Sequence, residues 1–124
     1  MTNKKILRGI DTVIIRVSDI NISKKWYEDK LGLTPVWDDA GMKLVVMDTD
    51  SPTSITLWQT DKEIKNNKDT ASYPIFRITN ADESRNELIK RGVSVTEIIE
   101  DTVVRYFQIF DPDGNVLEAC QVHE

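Results

Sequence analysis

Glu118 is the side chain with the clearest chemical potential, because this carboxylate stands between Leu117 and Ala119 in an apolar stretch. A carboxylate that is buried without a cation has a raised pKa and can act as a general base near neutral pH. It can equally be held by hydrogen bonds from neighbouring hydroxyls and serve only the structure. Both interpretations stay open, and the structural one is favoured.

Two further motifs could hold a metal, but their spacing favours structural roles. Asp111-x-Asp113-Gly114-Asn115 is similar to the start of a calcium loop, yet Val122 stands where such a loop needs its bidentate Glu. A turn is the better interpretation, with Pro at its second position and Gly at its fourth. Cys120 and His123 are three residues apart, so in a strand they point to opposite faces.

The composition indicates one globular domain. The chain has 124 residues, is 40% hydrophobic and 30% charged, and has a net charge of -5. Without a run of Lys or Arg, nucleic acid is not expected as a partner. The apolar stretch near the start is broken by Asp11 and Arg16, which argues against a signal peptide or membrane span. A single cysteine excludes an internal disulfide, so a cytoplasmic location is expected.

Alternating β-branched stretches and two helical stretches with cap residues predict an α+β fold. Asp19 or Asn21 can cap the first helix, which ends at Gly32; Gly92 ends the second. The predicted strands are 10–18, 33–38, 42–48, 54–60, 73–79, 93–98, 103–110 and 115–121, and the predicted helices end near Leu31 and Arg91.

The second half of the sequence repeats the first. Ile15-Arg16-Val17-Ser18-Asp19 is similar to Phe76-Arg77-Ile78-Thr79-Asn80, 61 positions further on, and both copies continue through a helix to Gly. Two βαβββ units are therefore predicted: module one at 8–60, a linker at 61–71 and module two at 72–122. Together they are expected to form a curved, eight-stranded, cup-shaped sheet with the helices outside.

The strand alternation places several candidate ligand-binding residues on the inner face of this cup. Thr12, Ile14 and Arg16 share one face of the first strand, as Tyr73, Ile75 and Arg77 do in the second module. The two arginines can keep their heads in water, or pair with Glu118 or an anionic ligand. Aromatic side chains predicted to line the same space are Trp37, Trp58 and Phe107, with Thr56 beside Trp58. They suit a flat apolar ligand, although they could equally fill the core.

The motifs together resemble the vicinal oxygen chelate superfamily, which includes glyoxalases, bleomycin-resistance proteins, fosfomycin-resistance enzymes and extradiol dioxygenases. The resemblance covers nearly the whole chain and rests on 15–19, on Ser23-x-x-Trp26-Tyr27-x-x-x-Leu31-Gly32-Leu33, and on 111–115. It implies four metal-ligand positions, which are Thr12, Thr56, Tyr73 and Glu118 in this sequence. Three neutral hydroxyls and one carboxylate are poor ligands for a divalent ion, so no metal and no cofactor are expected.

Three functions remain in competition. The favoured hypothesis is a metal-free protein that binds a small organic molecule, as drug-sequestering members of the superfamily do. The alternative is a lyase, isomerase or dioxygenase with an altered site centred on Glu118. The third is an interaction protein with a closed cup. The resemblance also implies a homodimer, in which the cup could be built within one chain or across two.

Overall fold

The structure is a computed structural model that describes residues 4–123. Those residues form two helices and nine strands, in the order that follows. The elements are β1 (Thr12–Val17), α1 (Ile20–Leu31), β2 (Thr34–Asp39), β3 (Leu44–Asp48), β4 (Ser54–Gln59), β5 (Ile75–Arg77), α2 (Ala81–Lys90), β6 (Ser94–Val95), β7 (Ile99–Glu100), β8 (Val104–Phe110) and β9 (Val116–Val122).

The first helix begins and ends where the cap residues predict. The Asp19 carboxylate accepts hydrogen bonds from the backbone N–H groups of Asn21 and Ile22 at 3.0 and 3.1 Å. Gly32 ends the helix with φ of 74°, a left-handed conformation that residues with a Cβ adopt at a cost. Asn80 caps α2 with nearly the same backbone angles as Asp19, and Gly92 follows α2 with φ of 80°.

The strands form two sheets of equivalent topology. One sheet has the order β1-β4-β3-β2, and the other has the order β5-β9-β8-β6, with β7 also paired to β8. In each sheet the first strand pairs in parallel with the last, and the remaining pairs are antiparallel. The α+β fold class is confirmed, but the strands divide into a four-stranded and a five-stranded sheet instead of one eight-stranded sheet.

The ninth strand arises because the predicted strand 93–98 is interrupted at Thr96. The Nε of Arg85 on α2 donates to the carbonyl of Thr96 at 2.8 Å, so this carbonyl is engaged by the helix. The hydroxyl of Thr96 instead accepts the backbone N–H of Gln108, also at 2.8 Å. The chain leaves the ladder at this point and pairs with β8 again at β7.

The internal repeat extends to individual hydrogen bonds. The side-chain oxygen of Gln59, the last residue of β4, accepts the backbone N–H of Ile20 at the start of α1. The side-chain oxygen of Gln121 in β9 accepts the N–H of Ala81 at the start of α2. Each helix is thus fastened at its first residue to a strand of its own half.

A buried carboxylate joins the two halves. Asp111 follows β8 and accepts the Tyr27 hydroxyl of α1 at 2.7 Å. It also accepts the backbone N–H groups of Asp113 and Asn115 and the side-chain amide of Asn115. Burial raises the pKa of Asp111 and these hydrogen bonds lower it, while burial and Asp111 raise the pKa of Tyr27. The sequence 111–115 is therefore a turn, as predicted, and it ties module two to helix α1.

The helix ends make a second contact between the halves. The ammonium of Lys30 donates to the carbonyl of Arg91 at 2.6 Å, and the guanidinium of Arg91 donates to the carbonyl of Lys30 at 2.9 Å. These residues are 61 positions apart, so each occupies the place of the other in the repeat. Basic side chains are favoured at helix C-termini because they satisfy carbonyls that lack a partner within the helix.

The core lies between the helices and one face of each sheet. It contains Ile15 and Val17 of β1, Leu57 of β4, Leu117 of β9 and Tyr27 of α1. Among the described residues, neither helix has the length and apolar character needed to cross a membrane.

Replacing Tyr27 with Phe should lower the free energy of unfolding by about 1.5–3 kcal/mol, because a buried carboxylate loses a hydrogen-bond donor. Urea unfolding followed by circular dichroism measures the change. The control is Tyr106→Phe, since the Tyr106 hydroxyl makes no hydrogen bond within residues 4–123. Equal losses in the two variants would contradict a specific role for the Tyr27–Asp111 contact.

Candidate functional site

Each sheet has one face that packs on its helix and one that does not, and we call the second the helix-free face. On the first sheet the register aligns Ile14, Thr56, Val46 and Trp37 in a row across all four strands of this face. Arg16 and Trp58 form the neighbouring row. The alternation that was predicted for β1 is therefore present, with Ile15 and Val17 buried on the other face.

The helix-free face of the second sheet carries the remaining predicted residues. Ile75 pairs with Glu118, which pairs with Gln108 of β8. In the next row, Arg77 pairs with Cys120, followed by Tyr106 of β8 and Ile99 of β7.

The placement of Phe107 on this face was wrong. Phe107 is fully buried and pairs with Ala119, so its ring lies in the core on the helix-packed face. Gln108 and Tyr106 occupy the positions on either side of it that face the same way as Glu118. The register could have identified them, because the turn at 111–114 sets Phe110 opposite Val116.

The four positions at which the resemblance implies a metal do not form a suitable ligand set. The hydroxyl oxygens of Thr12 and Thr56 lie 2.9 Å apart and hydrogen-bond each other. Tyr73 and Glu118 supply a phenol and a single carboxylate. Within residues 4–123, no group of three His, Cys, Asp or Glu side chains is arranged to hold a metal. Divalent ions need several anionic or imidazole ligands, so these four residues do not fit the metal ion that the resemblance implies.

Glu118 is a buried carboxylate with few polar neighbours. Its residue is 7% exposed, and its neighbours across the ladder are Ile75 and Gln108. Burial raises the pKa of Glu118, and a hydrogen bond from Tyr73 acts in the opposite direction. Thr12 and Thr56 bond to each other, which leaves Tyr73 as the predicted hydroxyl partner that lowers the pKa of Glu118.

The two arginines at equivalent positions behave differently. The Arg16 guanidinium donates to the backbone carbonyls of Trp58 and Gln59 at 3.1 and 3.0 Å and lies 5.0 Å from the centroid of the Trp58 ring. It is thus bound to the end of β4 and not to Glu118. Arg77 is exposed, and among the described residues no carboxylate lies within ion-pair distance of it.

Cys120 and His123 do not form a site together. The ring of His123 lies 3.4 Å from the carboxylate of Glu100 on β7. Cys120 is a partly exposed free thiol beside Glu118, and burial and that carboxylate raise its pKa. A raised pKa leaves the thiol protonated and weakly nucleophilic.

Several cavities touch the predicted site residues, and two of them lie beside the helix-free faces. One of about 400 Å³ lies between β1 and the segment that follows β4, and it includes Ile14, Arg16, Lys62 and Lys65 in its lining. The other, of about 560 Å³, lies between the start of β4 and β5 and includes Ile75 and Arg77. Neither cavity is lined by Thr56, Tyr73 or Glu118. The predicted residues of the two halves therefore line separate spaces in the single chain.

Comparisons with solved structures identify the fold. TnmS3, an antibiotic binding protein from Streptomyces sp. CB03234, has a TM-score of 0.81 and 22% identity, covering 97% of this chain and 100% of its own. A glyoxalase family protein from Bacillus anthracis has a TM-score of 0.81 and 20% identity, covering 98% of this chain and 100% of its own. The fosfomycin resistance protein FosX from Listeria monocytogenes has a TM-score of 0.77 and 15% identity, covering 94% of both chains.

No curated protein matches the sequence. A family model, described as the Glyoxalase/Bleomycin resistance protein/Dioxygenase superfamily, matches residues 9–119. That match spans most of the chain. The chain belongs to the glyoxalase/bleomycin resistance protein/dioxygenase superfamily.

Proposed function

We propose that this chain is a metal-free protein of the cytoplasm that binds a small organic molecule, and that two copies pair to complete the binding site. The observation that carries the proposal is a set of large apolar side chains exposed on the helix-free faces. Ile14 is 52% exposed, Trp37 is 58% exposed and Ile75 is 59% exposed. Single exposed apolar residues are common, but a shared face of them is typical of a binding or association surface.

The four positions at which the resemblance implies a metal are divided between the two halves of the chain, and this division supports a homodimer. Thr12 and Thr56 lie on the first sheet, and Tyr73 and Glu118 belong to module two, which forms the second. Neither of the two cavities beside these faces brings the two pairs of residues together. If the first sheet of one copy faces the second sheet of another, both exposed faces are covered and a two-walled site forms at each end of the dimer. Such an arrangement is isologous and closes without further copies.

The site residues favour an apolar ligand that carries a cation. Trp37 and Trp58 offer aromatic faces on one wall, and these attract cations as well as flat rings. Glu118 offers one carboxylate on the other wall, and no Lys or Arg forms an ion pair with it among the described residues. A ligand ammonium group beside Glu118 would supply the missing positive charge. The name of TnmS3 as an antibiotic binding protein agrees with this class of function.

A second candidate function follows from the burial of Glu118. A carboxylate with a raised pKa is suited to take a proton from a carbon acid near neutral pH. The chain would then be an isomerase or lyase that uses Glu118 as its base and no metal.

The homodimer is tested by sedimentation equilibrium of the native chain and two variants. We expect a dimer for the native chain and a monomer for Ile75→Glu, because a charge on the helix-free face would be buried at the interface. Ile22→Glu is the matched control, since Ile22 lies on α1 and is 60% exposed. It should remain dimeric. A native monomer at high micromolar concentration would contradict the paired site.

Ligand binding is tested by isothermal titration with a panel of flat aromatic compounds in matched cationic and neutral forms. The cationic member of a binding pair should lose at least about tenfold in affinity in Glu118→Gln, and its neutral partner should not. Trp37→Ala should weaken both. If no panel member binds, or if neutral and cationic members respond equally to Glu118→Gln, the proposed ligand chemistry is wrong.

The pH dependence of stability tests the state of Glu118. Because burial raises its pKa above the ordinary value of 4.5, the folded chain binds the proton more tightly than the unfolded chain does. The stabilisation is therefore complete at low pH and is lost as the pH rises through the raised pKa. Relative to the native chain, Glu118→Gln should gain stability from pH 4.5 upward in urea unfolding. Glu63→Gln, which removes a carboxylate at an exposed position, is the control variant.

The same variant separates the two candidate functions. For a ligand with an acidic C–H group, an enzyme would incorporate solvent deuterium, which NMR detects, and Glu118→Gln would stop the exchange by removing the base. A binding protein would leave the C–H signal unchanged in both forms.

A further inference from the structure

A cavity of about 420 Å³ lies on the other side of the second sheet, between this sheet and helix α2. Its apolar wall comes from the C-terminal end of helix α1, from helix α2 and from the helix-packed face of the second sheet. The apolar side chains that line it are Leu31, Leu33, Phe76, Leu88, Ile109 and Ala119. Ala119 lies on the opposite face of β9 from Glu118, so this cavity is separate from the helix-free site.

The internal repeat indicates which substitutions open this cavity in the second half. In the first module the space between helix and sheet is filled by Tyr27 and Leu57, which are fully buried, with the Trp26 ring packed edge-on against Tyr27. The residues at the equivalent positions of the second module are Leu88, Ala119 and Glu87. Three large side chains are thus replaced by two smaller ones and a carboxylate that extends to solvent.

The two helices also differ in how many of their residues are buried. Helix α1 buries Ile20, Ser23 and Tyr27, whereas α2 buries only Ala81. The space is a groove that is open to solvent on one side and apolar on the other. Its volume falls in the range of small-molecule pockets, roughly 300–1,000 Å³.

The charges at the rim indicate what kind of molecule would fit. Lys30, Arg77 and Arg91 line the cavity together with Glu83 and Glu87. Arg91 already pairs with Glu87 at 3.3 Å. Neither Lys30 nor Arg77 has a carboxylate within ion-pair distance among the described residues. Three cationic and two anionic side chains line the cavity, which leaves a surplus of one positive charge there in a chain whose net charge is -5.

We infer that the cavity between α2 and the second sheet is a second ligand site, which binds an amphipathic carboxylate with a short aliphatic or monocyclic body. The apolar body packs on Phe76, Ile109 and Ala119, and the carboxylate lies toward Lys30 and Arg77. The apolar wall of this site faces away from Glu118, whereas Arg77 stands on the edge strand β5 and borders cavities on both sides of the second sheet. The inferred site is therefore distinct from the Glu118 site in its apolar wall and shares Arg77 with the helix-free face.

Octanoate is the probe, and 1-octanol is its neutral match. In two-dimensional ¹H–¹⁵N NMR of the full chain, octanoate should shift the amides of α2 and β5 and leave those of β2 and β3 unchanged. Octanol should bind at least about threefold more weakly, and Arg77→Met should remove that difference. The inference would be overturned if the amide shifts were confined to residues of the helix-free faces, or if octanoate caused no saturable shifts.

Filling the cavity is the decisive test. Ala119→Leu places there the residue that the first module has at the equivalent position, and it should weaken octanoate binding at least tenfold. Ala71→Leu, in the cavity beside β1, is the control and should leave octanoate binding unchanged. If Ala119→Leu does not fold, Glu87→Trp restores the other missing side chain at the mouth of the cavity. Unchanged octanoate binding in a folded filling variant would overturn the site. Amide shifts that depend on protein concentration alone would also overturn it, because they would show that a second copy of the chain occupies the cavity.

Discussion

The arrangement of the two halves depends on one buried carboxylate. Asp111 accepts the Tyr27 hydroxyl from the first module while its other hydrogen bonds shape the turn between β8 and β9. The same turn returns to β1, because Asp113 accepts the backbone N–H of Ser18 at 3.0 Å and Asn115 donates to the carbonyl of Arg16 at 2.9 Å. A carboxylate has the four lone pairs that such a junction needs, and neither a hydroxyl nor an amide offers as many.

The sequence was sufficient to predict the repeat and most of the elements. Short caps such as Asp19, the glycines after each helix and the β-branched alternation are local properties, so they can be recognised without tertiary structure. The interruption at Thr96 could not be predicted, because it depends on Arg85 of a different element reaching the Thr96 carbonyl. The division into two sheets likewise depends on which strand edges meet, and edge pairing is a tertiary property.

The strand faces beside the candidate site were predicted in part. The faces of β1 and β5 follow from alternation alone, which placed Ile14, Arg16, Ile75 and Arg77 together with the correct neighbours. Phe107 was misplaced because aromatic character was weighed without the register of the final hairpin. The sequence could not predict that Arg16 binds the end of β4. An arginine at a strand end can reach backbone carbonyls, water or a ligand with equal ease.

The fastening of each helix to a strand of its own half has an evolutionary consequence. Because Gln59 holds α1 and Gln121 holds α2, each βαβββ unit carries the contacts that orient its own layers. A substitution at the helix–strand contact of one unit therefore leaves the equivalent contact of the other in place, although both units share one core. After a duplication, one copy can conserve a dense interior that maintains solubility and folding yield, while its twin accumulates changes and explores new chemistry.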